Sequence, residues 1–272
     1  MGKVITVANQ KGGVGKTTTV LNFGAELARR NRKVLLIDFD SQGNLTKASG
    51  ITKKSVDTIP HTIADSINDC IDGKAPLLQK GRITLDGNVE MDILPCNISM
   101  AQTKLKLSFA MAREGMLKKI TDELKKSYDY ILIDTAPSLD VDMVNALVAA
   151  DELIITTTPD TFSTSGTGAL YDSWKKVRDN LNSNLIIAGV LINCVDKRSN
   201  FTRDMIEVIR SSWAKKEITT FEEVIPLSVK VKEGQAIGKV ISDYSHDNPV
   251  SKAYSFFTDE YLRKVEGNGT ES

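Results

Sequence analysis

A glycine-rich octapeptide near the N-terminus has the residue types of a phosphate-binding loop. It reads Lys-Gly-Gly-Val-Gly-Lys-Thr-Thr over residues 11–18 and separates an apolar, β-branched run from a helical pattern. Glycines allow successive backbone N–H groups to point into one concavity, where the N-terminus of the following helix also attracts phosphate oxygens. A lysine and a threonine after the last glycine supply a point charge for the phosphates and a ligand for Mg²⁺. The spacing therefore predicts a site for a nucleoside triphosphate with its magnesium ion.

Each position in this loop has an expected role. The residues expected to cradle the phosphates through their backbone N–H groups are Gly12, Gly13, Val14 and Gly15. We expect Lys16 to contact the β- and γ-phosphates, the Thr17 hydroxyl to join the Mg²⁺ shell, and Thr18 to contact the α-phosphate. The alternative is a glycine-rich turn without a ligand, but it requires the flanking strand, the helix and the downstream aspartates all to be coincidental.

Aspartates end two further apolar runs. Residues 34–37 are followed by Asp38 and Asp40, and residues 130–133 are followed by Asp134. Ligands of open α/β sheets bind beyond the carboxyl ends of the strands, where three carboxylates would repel one another unless a cation is present. The Mg²⁺ of ATP supplies that cation, and we predict that Asp134 holds it. The plainer interpretation is that Asp134 only caps a helix or faces solvent.

The distribution of apolar runs predicts the fold class. Continuous apolar runs alternate with helical stretches and include residues 4–8, 34–37, 130–133, 153–157, 185–193 and 223–225. Such runs are typical of strands buried on both faces of a parallel sheet. Between residues 51 and 97 the pattern is weaker and predicts a helix at 63–71 and a strand at 91–94. We predict a single α/β domain over residues 1–265, with a mainly parallel twisted sheet and helices on both faces, and a disordered tail at 266–272.

Composition limits the classes of function. The chain has 35 basic and 35 acidic residues, so no overall field draws it to nucleic acid or to an anionic membrane, and any such contact needs a local patch. Its three cysteines are far apart in the sequence, which fits a reducing compartment. No apolar run approaches the roughly 18 residues of a membrane span. We therefore expect a cytoplasmic protein.

The loop departs from the standard phosphate-binding motif in a specific way. The first glycine is absent, and Lys11 lies within the loop. The octapeptide thereby resembles the deviant Walker A motif of the ParA and MinD superfamily of P-loop ATPases. Residues 36–44, 93–97, 128–139, 189–193 and 224–226 also resemble segments of that family, so that the resemblance covers residues 3–265. It implies that Lys11 reaches the nucleotide of the opposite subunit, which would couple ATP binding to formation of a homodimer, and that the chain is an ATPase with weak intrinsic activity.

The resemblance also assigns roles outside the loop. It implies that Asp40 orients the attacking water, so that Lys11, Lys16 and Asp40 form the catalytic set, and that Asp38 belongs to the metal shell. It places Asn193 and Pro226 beside the adenine. The resemblance is weaker at residues 159–168, where the family usually has a glutamate and aromatic residues.

Three classes of output share this nucleotide-binding domain in the family. Nitrogenase-reductase-like members hold an iron–sulfur cluster, but Cys70, Cys96 and Cys194 do not have the usual placement. MinD-like members bind membranes through a basic amphipathic C-terminal helix, whereas residues 256–264 are a short segment with two acids. Partition ATPases bind DNA, and here residues 197–232 contain eight basic against five acidic residues.

The basic segment favours DNA as the target. By the resemblance, Arg198 and Lys230 match positions where arginines contact the DNA backbone, and Arg203 lies on the polar side of a predicted helix. The alternative is a solvated helix face. We therefore predict an ATP-dependent homodimer that binds double-stranded DNA without sequence preference and associates with the nucleoid. We expect it to partition a plasmid, chromosome or mobile element, with a centromere-binding, ParB-like protein that stimulates its hydrolysis of ATP. The alternative function is a MinD-like positioning ATPase that acts on a membrane or a protein scaffold.

Overall fold

The strands of the chain form one sheet. The computed structural model describes residues 2–51, 61–160 and 163–267, and within them eight strands pair in the order β3-β4-β2-β5-β1-β6-β7-β8. The strands are β1 Lys3–Ala8, β2 Val34–Phe39, β3 Gly81–Leu85, β4 Val89–Leu94, β5 Tyr130–Thr135, β6 Glu152–Thr157, β7 Ile186–Val195 and β8 Thr220–Pro226. Neighbouring strands are parallel except for β3 and β4. The predicted fold class is confirmed, although the antiparallel edge strand β3 was not predicted.

Helices connect the strands. They are α1 Lys16–Arg29, α2 Asn44–Ala48, α3 Ile63–Ile71, α4 Met100–Phe109, α5 Met116–Leu124, α6 Val141–Ala149, α7 Ser163–Asn180, α8 Asn200–Ala214, α9 Val229–Ala236, α10 Ile241–Tyr244 and α11 Pro249–Gly267, with a 3₁₀ turn at Arg113–Gly115. The helix predicted at 63–71 is confirmed. The predicted tail comprises residues 266–272, of which residues 268–272 lie outside the described part of the chain.

Two hydrophobic clusters cover the two faces of the sheet. In β2, Leu35 and Ile37 belong to one cluster, whereas Val34 and Leu36 belong to the other. The first cluster is completed by side chains from helices α3 to α8, and the second by side chains from α1, α2, α10 and α11. Side chains of a strand alternate between the two faces, so a strand covered on both sides must be apolar throughout. This explains why the strands read as continuous apolar runs.

The register of the central strands brings their polar ends together. Asp38 at the end of β2 pairs in register with Asp134 of β5, and Asp134 in turn pairs with Val7 of β1. Parallel neighbours all end at the same edge of the sheet, so the loops that follow β1, β2 and β5 are adjacent. The two aspartates and the glycine-rich loop therefore meet although the sequence separates them widely.

The C-terminal helix α11 packs on the body of the domain. The Phe257 and Tyr261 rings lie 5.0 and 5.1 Å from the Phe23 ring of α1, measured between centroids, and both side chains are fully buried or nearly so. The Tyr261 hydroxyl donates to Glu152 Oε2 at 2.6 Å. Within the ranges that the structure describes, no helix combines the length and the apolar character that crossing a bilayer requires.

Two glycines allow the segment after α2 to touch the turn before α10. Gly50 and Gly238 have φ values of +82° and +71°, and a Cβ built on Gly238 would lie 2.2 Å from Gly50 Cα. No side chain can be placed there without moving the backbone. This contact fixes the C-terminal segment against the region that follows Asp38 and Asp40.

We expect Gly238→Ala to destabilise the fold more than Gly73→Ala. Gly73 has a similar φ of +72°, but a Cβ there would meet no described atom within 4 Å, so this position isolates the backbone strain, about 1 kcal/mol. Gly238→Ala adds overpacking against Gly50, on the order of 1–3 kcal/mol more. Urea unfolding of both variants measures the difference, and equal losses would show that the contact is not tight.

Candidate nucleotide-binding site

A cavity of about 600 Å³ lies beyond the carboxyl ends of the strands. From the predicted loop it is lined by Gly12, Gly13, Gly15, Lys16, Thr17 and Thr18. A Cβ on Gly12 or Gly13 would meet no atom of the described residues within 4 Å, so the concavity of the loop is open. Gly13 and Gly15 have φ values of +77° and +84°, a left-handed conformation that favours glycine. The loop therefore has the shape that a phosphate-binding role requires.

Asn193 of β7 fastens the loop to the sheet. Its Nδ2 donates to the Val14 carbonyl at 2.9 Å and to Thr19 Oγ1 at 3.2 Å, and a Cβ on Gly15 would lie 2.7 Å from the same nitrogen. Its Oδ1 is buried and has no hydrogen-bond partner among the described residues. Asn193 and Pro226 both line the cavity, which is compatible with the predicted adenine contacts. The geometry adds a structural role for Asn193 that the sequence did not suggest.

Lys16 and Thr17 begin α1 at the floor of the cavity. The Lys16 ammonium donates to the Lys11 carbonyl at 3.2 Å, and the Thr17 hydroxyl donates to Asp134 Oδ2 at 2.6 Å. Burial lowers the pKa of Lys16, and the negative charges of Asp134 and Asp40 partly offset this effect. The charge of Lys16 is therefore poorly solvated, and the same burial strengthens its attraction for a phosphate.

Thr18 is hydrogen-bonded to a helix far along the chain. Gln235 Nε2, near the end of α9, donates to Thr18 Oγ1 at 3.0 Å, and Gln235 also lines the cavity. Asn22 Nδ2 donates to the Thr18 carbonyl at 2.8 Å, while Asn22 Oδ1 accepts from the backbone N–H of Ile241 at 2.9 Å. Sequence reasoning missed Gln235 because no local pattern connects α9 with the loop.

Asp38 is held in place by Thr46. Asp38 Oδ2 accepts from the Thr46 backbone N–H at 2.8 Å and from its hydroxyl at 2.6 Å, and the Cys96 N–H donates to Thr46 Oγ1 at 2.9 Å. Asp38 is fully buried and does not line the cavity, whereas Asp40 does. Asp38 was predicted to belong to the metal shell, but its side chain lies behind the cavity wall and does not form part of it. Thr46 was not predicted, since a lone threonine carries no sequence signal.

The carboxylates form a concentrated negative centre. Burial raises the pKa of Asp134 well above its ordinary range, and the nearby Asp38 charge raises it further. Burial likewise raises the pKa of Asp38 to about 6, against the lowering effect of its hydrogen bonds with Thr46. Asp134 Oδ1 is buried without a hydrogen-bond partner in the described part of the chain. A cation near Asp134 would relieve both the desolvation and the repulsion.

These features fit a nucleoside triphosphate with Mg²⁺. The open glycine loop and Lys16 suit phosphate oxygens, and the orphaned Asp134 oxygen with the Thr17 hydroxyl beside it suits a hard cation. Magnesium is commonly held by one or two carboxylates together with substrate phosphates, and the donor set here has that composition.

Lys11 and the predicted DNA residues lie outside the cavity wall. The Lys11 ammonium contacts Asp160 at 2.6 Å. Arg198 is 92% exposed and pairs with Asp196, and Lys230 pairs with Glu233 at 2.8 Å. The exposed Arg203 donates to Asn200 in the first turn of α8, so it lies on the polar face predicted for this helix.

Three comparisons place the chain among known proteins. A family model described as an AAA domain matches residues 2–187. The sporulation initiation inhibitor protein Soj of Bacillus subtilis is 35% identical over 270 residues, which cover 99% of this chain and 100% of that protein. Among solved structures, the cobyrinic acid a,c-diamide synthase of Mycobacterium smegmatis with bound ADP and magnesium has a TM-score of 0.82 at 29% identity, covering 98% of this chain and 97% of that one. A putative plasmid partition protein of Borrelia burgdorferi bound to AMPPNP has a TM-score of 0.76 at 26% identity, covering 97% and 100%.

The fold and the site define a P-loop nucleotide-binding protein of the α/β class. A glycine loop after the first strand, a lysine at the start of the following helix and an aspartate on the neighbouring strand are its defining parts. The family model and the full-length likeness to Soj agree with this class. The chain belongs to the ParA/Soj family of P-loop ATPases, as the sequence motifs predicted.

The raised pKa of Asp38 predicts a pH dependence of stability without Mg²⁺ or nucleotide. A carboxyl group with a raised folded-state pKa stabilises the fold below its unfolded-state pKa, about 3.9, and this contribution is lost as the pH rises through the folded-state value of about 6. Between about pH 4 and 7 the free energy of unfolding should fall in the wild type relative to Asp38→Asn, by up to about 3 kcal/mol. Urea unfolding across this range measures it. The exposed Asp72→Asn variant is the control, and parallel profiles for wild type and Asp38→Asn would contradict the prediction.

Proposed function

We propose that the chain is an ATPase that dimerises with ATP, binds DNA without sequence preference as a dimer, and leaves DNA when a partner stimulates hydrolysis. The observation that carries the proposal is that Lys16, Thr17 and Asp40 line one cavity, while Asp134, behind its wall, accepts a hydrogen bond from Thr17. The proteins that this chain resembles include a sporulation initiation inhibitor, a cobyrinic acid a,c-diamide synthase and a plasmid partition protein. The choice of partition as the function therefore depends on residues outside the cavity.

ATP with Mg²⁺ is the ligand that suits the cavity. The neighbouring structures contain ADP with magnesium in one case and AMPPNP in another, which supports the same ligand class here. When bound, Mg²⁺ neutralises charge on the phosphates and polarises their oxygens. In this chain the loop N–H groups and Lys16 would bind the phosphates, while Thr17 and Asp134 would hold the metal ion.

Asp40 is the residue we assign to hydrolysis. Its side chain reaches the cavity wall, and its Oδ1 accepts from the backbone N–H of Gln42 at 2.9 Å, which fixes the loop that carries it. A carboxylate at this position can accept a hydrogen bond from an attacking water and so orient it. Lys11 would supply positive charge to the nucleotide of the second subunit, as an arginine finger does in trans.

DNA binding is the output that the surface charges favour. Arg198 lies just before α8, Arg203 in the first turn of α8 and Lys230 in the first turn of α9; all three are exposed, and each has a partner in its own segment. Such exposed pairs exchange easily for phosphate contacts because they contribute little to stability. Two such patches joined in a dimer would bind DNA much more tightly than one, since the second contact becomes intramolecular.

A positioning role on a membrane or protein scaffold is the alternative. The membrane form of this alternative needs an apolar helix face free to enter the bilayer. In α11 the large apolar side chains Tyr254, Phe257 and Tyr261 are buried against the domain, and Phe256 is exposed. This packing favours DNA over membrane as the target.

Two variants separate nucleotide binding from hydrolysis. We expect Lys16→Ala to lose measurable ATP binding, because the loop then lacks its point charge. We expect Asp40→Ala to bind ATP as the wild type does but to hydrolyse it at least ~100-fold more slowly, because water positioning is lost. Isothermal titration and a phosphate-release assay measure the two properties, with the exposed Asp72→Ala as control. Wild-type turnover by Asp40→Ala would move the catalytic role to another residue.

Salt dependence tests the DNA contact. Arg198→Ala and Lys230→Ala should each weaken binding on every sequence and lower the magnitude of the salt slope by about two per dimer, one contact from each subunit. Binding should appear with ATP and not with ADP. The measurement is DNA affinity from about 50 to 200 mM salt, with the exposed Lys74→Ala as control. Unchanged salt slopes in both variants, or equal DNA binding with ATP and ADP, would contradict this contact. If the protein then also sediments with anionic liposomes only in the presence of ATP, the alternative function is favoured.

A further inference from the structure

The hydrogen bond between Gln235 and Thr18 decides how the Thr18 hydroxyl can donate. Gln235 Nε2 donates to Thr18 Oγ1 at 3.0 Å, and both residues line the cavity. An amide nitrogen only donates, so this bond uses a lone pair of the hydroxyl oxygen and leaves its hydrogen available. Many helical threonines donate instead to a carbonyl of the preceding turn. Within residues 2–51, 61–160 and 163–267, the Thr18 hydroxyl has no such acceptor for its hydrogen.

Further contacts fasten the end of α9 beside the glycine-rich loop. Asn22 is only 3% exposed, donates to the Thr18 carbonyl and accepts from the Ile241 N–H. The Gly238 N–H donates to the Gln235 carbonyl at 3.2 Å and closes the turn that follows α9. The backbone that carries Gln235 is therefore held near α1 on both sides of the side chain, and the bond to Thr18 belongs to a defined arrangement.

A hydroxyl oriented in this way suits the α-phosphate, the group that Thr18 is predicted to contact. We propose that Gln235 is a positioning residue of the nucleotide site, which directs the Thr18 hydroxyl hydrogen at the α-phosphate and so raises the affinity for ADP and ATP alike. This role rests on the proposed binding of ATP in the cavity. It acts through Thr18, because a hydroxyl that already accepts one hydrogen bond is polarised and becomes a better donor for the next.

The worth of one hydrogen bond sets the size of the expected effect. The loss of a typical hydrogen bond weakens binding by about 2-fold to 10-fold. Thr18 and Gln235 are both half-buried, so water can partly replace the amide and the loss should lie in the lower part of this range. Since ADP and ATP share the α-phosphate, both should lose affinity by the same factor.

Isothermal titration with Mg²⁺ and either ADP or a non-hydrolysable ATP analogue tests this role. Gln235→Met has a side chain of similar length that cannot donate, so it should weaken binding of both nucleotides by about 2-fold to 10-fold. In Gln235→Glu the carboxylate can only accept, so it should take the Thr18 hydrogen away from the phosphate and weaken binding further. Gln102→Met is the control, because it changes an exposed glutamine of α4 outside the cavity wall and should alter neither affinity.

A double-mutant cycle shows whether Gln235 acts through Thr18. Thr18→Val removes the hydroxyl and should weaken binding of both nucleotides. In that background Gln235→Met should have no further effect, because no hydroxyl is left to orient. Equal losses from Gln235→Met in both backgrounds would overturn the proposal, since Gln235 would then act without Thr18. A loss confined to the ATP analogue would also overturn it, because ADP has the same α-phosphate.

The same titrations separate this role from the function on which it rests. Absence of nucleotide binding by the wild type would remove the proposed ATP site itself. If the wild type binds both nucleotides and Gln235→Met binds them equally well, the site stands and the role of Gln235 is wrong. Wild-type affinity of Thr18→Val would overturn the role as well, since the hydroxyl would then not contact the phosphate. Urea unfolding of each ligand-free variant confirms that it is folded under the titration conditions.

Discussion

The burial of two carboxylates side by side is the constraint on which the site depends. Asp38 and Asp134 lie in register on adjacent strands, both fully removed from solvent, and burial is the main cause of their raised pKa values. A buried charge without a partner costs far more than any single hydrogen bond contributes, so the surrounding groups must compensate it. Thr46, Thr17 and the charge of Lys16 do so in part. The arrangement is therefore stable only as a unit, and it favours a bound cation.

Features of the site that depend on local sequence could be predicted. The strands are buried on both faces and so appear as continuous apolar runs, and the loop needs glycine where φ is positive, as at Gly13 and Gly15. The meeting of Asp38 and Asp134 could also be inferred, because parallel strands end at one edge. Each of these conclusions needs only the period of a pattern or the direction of a strand.

Features that depend on contacts between distant segments could not be predicted. Gln235 donates to Thr18 from α9, and Gly238 just after this helix passes against Gly50; neither glycine carries a motif. The antiparallel strand β3 was missed since its residues alternate between buried and exposed positions at the edge of the sheet, where the apolar signal is weak. The contact between Asp160 and Lys11 joins the loops that follow two different strands, and no local pattern connects them.

Two groups of the loop are hydrogen-bonded within the chain and still have donors for a phosphate. The Lys16 ammonium has three N–H donors, one of which is directed at the Lys11 carbonyl, and the Thr18 hydroxyl accepts from Gln235 and so keeps its own hydrogen to donate. These internal bonds orient both groups before a triphosphate binds, so less conformational entropy is lost on binding. Gln235 belongs to α9, the helix that also carries Lys230. The same short helix therefore joins the phosphate-binding loop to the exposed basic surface.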